Sequence, residues 1–411
     1  MKNIISWLDR LRQVEQNPQT PLSENLFRVV NPGFKPLDIR DCLVATTPKG
    51  RIPPRPGDGT PLSVAVFRFL DVSRGKQDFT GQYLVPELAA LLTLATGRRI
   101  EIPPELSLQG AEAEKFVFLG YGDAVDDRLI GPVEEPVSPQ FVEWLSKVAS
   151  LEEPHLSVIG AACRLHHGAV MLSSRDVRSA YLLLVAAIEV LSRQYGAPPK
   201  DWSQWEDNRK WEKFMARVQL SPEQQEALRE QLLEDKHLKL KATFRDYATS
   251  KIPDAFWEAT WQGWIYTTSV NQGTWTDVQP RTEKKVKDII GNDRNAFSQS
   301  LGRSYDLRSG LVHRGDNLEL IDTAPLHGVP VNATKPLPFS VLRSVLVELI
   351  KAELWEHSSP VELPRIIHFA PEHPNPYAPP QAQPNPGSSP APSKSSSPPN
   401  RAARRAQKRK K

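Results

Sequence analysis

The chain has 411 residues, 39% hydrophobic and 24% charged, an ordinary balance for a folded protein and a length that accommodates two or three domains. Two cysteines, Cys42 and Cys163, exclude a disulfide scaffold and a four-cysteine zinc site and fit a reducing cytoplasm. The net charge of +4 belongs to the end of the chain: residues 371–411 hold eight Lys/Arg and one acid, Glu372, so residues 1–370 carry 44 bases against 47 acids.

The first residues, M-K-N-I-I-S-W-L-D-R-L-R, alternate apolar with charged side chains and lack the apolar stretch and cleavage site of a signal peptide. From about 25 to 135 the chain is broken by turns, most clearly P-K-G-R-I-P-P-R-P-G-D-G-T-P at 48–61. Between them lie strand-like runs, S-V-A-V-F-R-F-L at 63–70 and K-F-V-F-L at 115–119, and a helix-like patch, P-E-L-A-A-L-L-T-L-A at 86–95. Residues 1–136 are therefore expected to form a mixed α/β amino-terminal domain. Gly120 and Gly122 lack the third glycine and the following helix of a dinucleotide loop and are expected to form a tight turn.

From 137 to 358 the pattern turns helical. The spacing predicts a helix from Ser174-Arg175-Asp176 through A-Y-L-L-L-V-A-A-I-E-V-L-S-R-Q-Y, with Gly196 as its stop. The longest apolar run in it, Ala180 to Ile188, is under half of the roughly 20 residues that cross a bilayer, so no membrane span is expected. Ser221-Pro222-Glu223 marks a second helix start, with helix formers to about Tyr247. Further helices are expected near 295–314 and over 339–355, which together make a bundle. Residues 359–411, rich in Pro and Ser and ending in R-A-A-R-R-A-Q-K-R-K-K, are too poor in aliphatic residues to build a core and are expected to be disordered. The basic end, Arg401, Arg404, Arg405, Lys408, Arg409, Lys410 and Lys411, reads either as an electrostatic arm for nucleic acid or as a solubilising terminus.

The chemistry is concentrated in S-L-G-R-S-Y-D-L-R-S-G-L-V-H-R-G-D, residues 300–316, where Arg308 and His313 stand as R-x4-H. On a regular helix five steps of about 100° leave two side chains roughly 140° apart. Convergence then needs a break, which Gly310 would permit, or a second subunit.

This stretch resembles the HEPN proteins, and within them the Apea-like HEPN group. Y-D-L-R-S-G-L-V-H-R-G matches their R-x4-6-H signature through Arg308 and His313, and A-A-I-E-V-L matches a helix in which one acid, Glu189, interrupts an apolar run. The resemblance covers about 150–358. It implies an α+β chain whose carboxy-terminal part is a helical HEPN domain, often dimeric through the motif helices, that cuts RNA without a metal or other cofactor. His313 would serve as general base or acid, since imidazole titrates near neutrality. Arg308 would hold the scissile phosphate with its planar guanidinium. Products would end in 2′,3′-cyclic phosphates, in a cytoplasmic, toxin-like or anti-phage setting. Ser309 stands where family nucleases often carry Asn, Asp or His.

Glu189, in its apolar surroundings, needs a partner. The candidates are Arg308 or His313, which it would orient, or a structural arginine such as Arg303; an exposed strip would need none. Tyr305 and Asp306 flank the motif as supporting groups, with core packing and surface solvation as the alternatives. A non-catalytic module binding RNA, nucleotide or a partner protein is the competing reading of the bundle, and a dimeric scaffold a third. Cys163, His166 and His167 form C-x2-H-H, which lacks a further ligand and reads as a helix with a buried cysteine and two surface histidines. Trp257, Trp261 and Trp264, at helical spacing, read as core rather than as a base-stacking platform; no NTPase loop, hydrolase elbow or zincin helix occurs.

Overall fold

The computed structural model describes residues 1–364 except 18, 31–36, 40–42, 47–63, 73–79, 97–99, 101–136, 174–175, 206, 260–268, 272–273, 277–284 and 315–332. Helix α1 (Lys2–Gln16) buries Ile4, Trp7, Leu8, Leu11 and Val14, one face at the spacing of helical turns. Its exposed first amides are met by a residue far along the chain: the Glu87 carboxylate accepts from the Ile4 N–H at 3.1 Å. Trp7 Nε1 donates to the Leu70 carbonyl at 2.7 Å, and Arg10 grips Asp71 through two bonds of 2.8 Å. Those two partners sit on β4 (Val64–Val72), which lies between β1 (Leu22–Val30) and β3 (Leu43–Thr46) in an antiparallel sheet of order β1-β4-β3-β2, with β2 (Leu37–Ile39) at its edge. Phe27 stands opposite Phe67 in β1 and β4, and Phe69 of β4 opposite Leu43 of β3.

Most of the described chain is helical. Helix α2 (Thr80–Thr96) is buried along Leu84, Leu88, Ala89, Leu91 and Leu92 and packs on α3 (Val137–Val148) and α4 (His155–Leu172). Its Pro86 falls in the second turn, where the ring reaches back only to the first residues of the helix. Helix α5 (Val177–Tyr195) is the hub, touching α4, α8 (Leu240–Lys251), α11 (Arg294–Arg314) and α12 (Phe339–Glu356). Leu184, Val185, Ile188 and Leu191 are fully buried there, each contributing about 1.5–3 kcal/mol relative to exposure. Between α5 and α8 lie a 3-10 turn at Trp202–Gln204, α6 (Asn208–Val218) and α7 (Pro222–Glu234); short α9 (Asp254–Glu258), a ribbon of β5 (Ser269–Asn271) and β6 (Thr274–Thr276) and α10 (Val286–Ile290) precede α11. The larger hydrophobic core among the described residues runs from Ile4 of α1 through α5 to Leu363, within the unit of residues 1–369. Trp205, Leu232 and Ala242, backed by Trp202, Trp211 and Leu228, form a smaller one under α6 and α7.

Three expectations are corrected. Residues 359–364, placed by sequence in the disordered tail, pack on α3 and its end: the Val361 N–H donates to Ser146 Oγ at 2.8 Å, the Ser359 N–H to Ser150 Oγ at 3.1 Å, and Leu363 is buried. The segment after Ser221 is two helices, not one: Ser221 caps α7 with a full capping box to Gln224, α7 ends at Glu234, and a 3-10 turn at Lys236–Lys239 leads into α8. Lys239 ties that junction by donating from Nζ to the Pro199 carbonyl at 3.1 Å and to the Leu233 carbonyl. Gly196 ends α5 as expected, but in extended backbone (φ −80°, ψ 149°) and not in the left-handed turn of a Schellman cap. Glycine is needed there for closeness, since a Cβ would lie 2.4 Å from the Ser192 carbonyl oxygen and 2.8 Å from Thr243 Cγ2. The strand-like run at 115–119, the glycines 120 and 122, Cys42, Trp261, Trp264 and the basic end of the chain lie outside the described residues.

Candidate active site

Helix α11 carries the R-x4-H motif and is clamped from two sides. From α5, the Tyr181 hydroxyl lies 2.8 Å from Ser304 Oγ and 2.9 Å from the Leu337 carbonyl, and Ser304 in turn accepts from the Leu337 N–H at 3.0 Å. From α8, Lys241 Nζ donates to Asp306 Oδ2 at 2.9 Å and Phe244 packs against the Tyr305 ring at 5.4 Å between centroids. Residues 304–306 thus have their directions set by three different contacts.

One turn further on, Arg308 Nη2 lies 3.5 Å from Glu189 Oε2. Glu189 is 5% exposed, and its other oxygen accepts from Arg193 Nη2 at 2.6 Å, one turn along α5. The buried acid therefore carries two guanidinium partners, and Arg303, weighed as its partner from sequence, instead lies 3.7 Å from Asp306. Arg308 keeps 30% of its side chain exposed, so it has donors free to face solvent while one edge is held. The Tyr305 hydroxyl, half-buried between the two helices, has its pKa raised by burial first and by the Glu189 charge second, which keeps it protonated and a hydrogen-bond donor.

His313 occupies the last turn of α11, and its side chain lies outside the described residues. The helix runs through Gly310 without interruption, so backbone geometry leaves positions 308 and 313 about 140° apart. Ser309 and Asp306 are half-buried on the same helix, with Asp306 engaged by Lys241. Glu189, Tyr305, Asp306 and Arg308 come together; Arg401, Arg404, Arg405, Lys408, Arg409, Lys410 and Lys411 lie outside the described residues.

Arg193 and Lys241 were missed by sequence reasoning. Arg193 had a signal, an acid-to-base spacing of i, i+4 from Glu189. Lys241 had none, being 65 residues from Asp306.

The remaining motifs resolve as packing. Cys163 is buried with its thiol pushed up to about 12 by desolvation. His166, expected on the surface, is fully buried, while His167 Nδ1 bonds Thr93 Oγ1 at 2.8 Å, so these three do not converge on one point. Trp257 is buried edge-on against Phe256 and Phe297. Among the described residues no helix is long and apolar enough to cross a membrane.

Comparison with protein-family models, with curated proteins and with solved structures found no match.

Proposed function

We propose that this chain is an Apea-like HEPN endoribonuclease that cuts RNA without a metal, by attack of the ribose 2′-OH on the adjacent phosphate. The observation that carries the reading is the pairing of Arg308 with buried Glu189 across α5 and α11, which holds a partly exposed guanidinium on the motif helix. In the proposed reaction Arg308 binds the scissile phosphate and offsets the charge that builds on it. His313 takes the 2′-OH proton or returns one to the leaving 5′-oxygen, giving a 2′,3′-cyclic phosphate end. Because α11 is continuous, the arginine of one copy works with the histidine of a second, and the enzyme is a homodimer. The mixed α/β amino-terminal region senses a trigger or restrains the nuclease, and the setting is cytoplasmic toxin or anti-phage defence.

One second reading has an observation in its favour. Residues 1–370 are net acidic and Ser309 follows the arginine, as suits a HEPN module that binds RNA, nucleotide or a partner protein without cutting.

The test is cleavage of total cellular RNA in EDTA by the intact protein, by His313→Ala and by Arg308→Ala, each shown by circular dichroism to be folded in the same buffer. Cyclic-phosphate ends that vanish in both variants support the nuclease. Absence of cleavage by the parent, together with expression in phage-challenged cells that is equally harmless for parent and His313→Ala, establishes the binding module instead.

A further inference from the structure

The last turn of α12 carries Glu353 and Glu356, and His357 follows as its cap, so the three stand at i, i+3 and i+4 on one face. Glu353 is fully buried, where a carboxylate needs partners for both oxygens. Oε1 has two: the Tyr247 hydroxyl donates to it at 2.9 Å and the Lys251 ammonium lies at 3.2 Å. Oε2 accepts no hydrogen bond among the described residues. It faces His357 Nε2 at 3.2 Å, and one donor atom from each of Glu353, Glu356 and His357 lies within 4.8 Å of the others.

The surroundings hold these groups in place. The His357 ring stacks on His155 at 4.0 Å and on Tyr195 at 4.9 Å, and His155 Nδ1 bonds the Tyr195 hydroxyl at 3.0 Å. Lys251 Nζ also lies 2.5 Å from Glu356 Oε2, so one ammonium bridges the two carboxylates from the side away from His357 Nε2's partner oxygen, Glu353 Oε2. The end of α12 also presents the negative pole of the helix dipole, which favours a cation.

We propose that Glu353 Oε2, a Glu356 oxygen and His357 Nε2 bind a divalent first-row transition-metal ion of the zinc class. Two carboxylates and an imidazole are donors that zinc accepts, and three protein ligands leave a fourth position to water. The 3.2 Å between Oε2 and Nε2 is close to the edge of a tetrahedron with bonds of about 2.0–2.1 Å, roughly 3.3 Å. Tyr247 and Lys251 orient the buried carboxylate from its far oxygen, as groups behind metal ligands do. The site is separate from the Arg308–Glu189 pair, and its occupancy does not depend on the nuclease reading.

The experiment titrates the full chain, freed of metal by chelation and dialysis, with Zn²⁺ by calorimetry and with Co²⁺ by visible absorption. One ion per chain at micromolar affinity, with a cobalt d–d band, is expected; His357→Gln and Glu356→Gln should each weaken it about tenfold or more. Melting curves in chelator keep the variants interpretable, and Glu356, more than half exposed, tolerates its amide if His357→Gln unfolds. No uptake by the parent at submillimolar Zn²⁺ would overturn the proposal and leave the 3.2 Å approach as a contact between Glu353 and His357 alone. Uptake that survives both substitutions would overturn it equally, by placing the ion elsewhere.

Discussion

Glu189 is the residue on which the candidate site turns, because two arginines converge on one buried carboxylate. Arg193→Ala or Arg308→Ala alone should cost about 1 kcal/mol or less, since each arginine is partly exposed and the other remains. The double variant leaves an uncompensated buried charge and should cost about 3–5 kcal/mol, more than the sum; urea unfolding of the three variants measures that excess. His166 supplies a second residue-scale prediction. It is fully buried, neither ring nitrogen has a hydrogen-bond partner among the described residues, and burial first, then the charges of Arg343 and His167, holds its pKa well below 6.5. The unfolded chain therefore binds a proton that the folded one refuses: stability is fully present above pH 6.5 and is lost as pH falls from there toward the folded value, by up to about 1.4 kcal/mol per unit. Urea midpoints between about pH 8 and 5 should show this slope, and His166→Leu should flatten it. From sequence the acid in A-A-I-E-V-L and the arginine of R-x4-H were both legible as candidates. Their pairing was one of the partnerships the sequence offered, but with 119 residues between them pattern alone did not choose Arg308 over His313 or Arg303.

At the scale of elements, sequence pattern located helices well where a cap or a strong apolar face marked them. The spans expected at 295–314 and 339–355 are α11 and α12 within a residue or two, and Asp176 caps α5 by accepting from the Arg178 and Ser179 amides at 3.1 Å. The break between α7 and α8 went unread because every residue from Leu232 to Leu240 except Asp235 and His237 is a good helix former. What stops α7 is tertiary: Lys239 donates to two carbonyls that an unbroken helix would not expose to it. Gly196 makes the same point. Gly196→Ala is compatible with φ −80° yet should cost about 1–3 kcal/mol, because the added methyl meets the end of α5 and the side of α8. Thermal unfolding checks this, and Thr243→Ala in the same background, which removes the Cγ2 contact, should recover part of the stability.

For the whole molecule, the charge separation between residues 1–370 and the basic end predicts where RNA affinity resides. Removing 371–411 should make the fall of log K with log salt for single-stranded RNA shallower, by about 0.7 for each phosphate that the basic end neutralises, read by anisotropy across salt concentrations. Sedimentation of the same truncated chain should still show the dimer, since the proposed interface is in the helices. Composition and periodicity alone marked 137–358 as a run of helices, an electrically distinct end and one stretch, 300–316, rich in chemistry, because amphipathic spacing and charge are local quantities. Only the tertiary structure decided that α1 and α2 enter the same core as the later helices, that Glu189 meets Arg308, and that Glu353 has one oxygen satisfied and one left facing His357. Those outcomes depend on which helices become neighbours, and that is settled by the summed burial of many apolar faces rather than by the residues that end up facing one another.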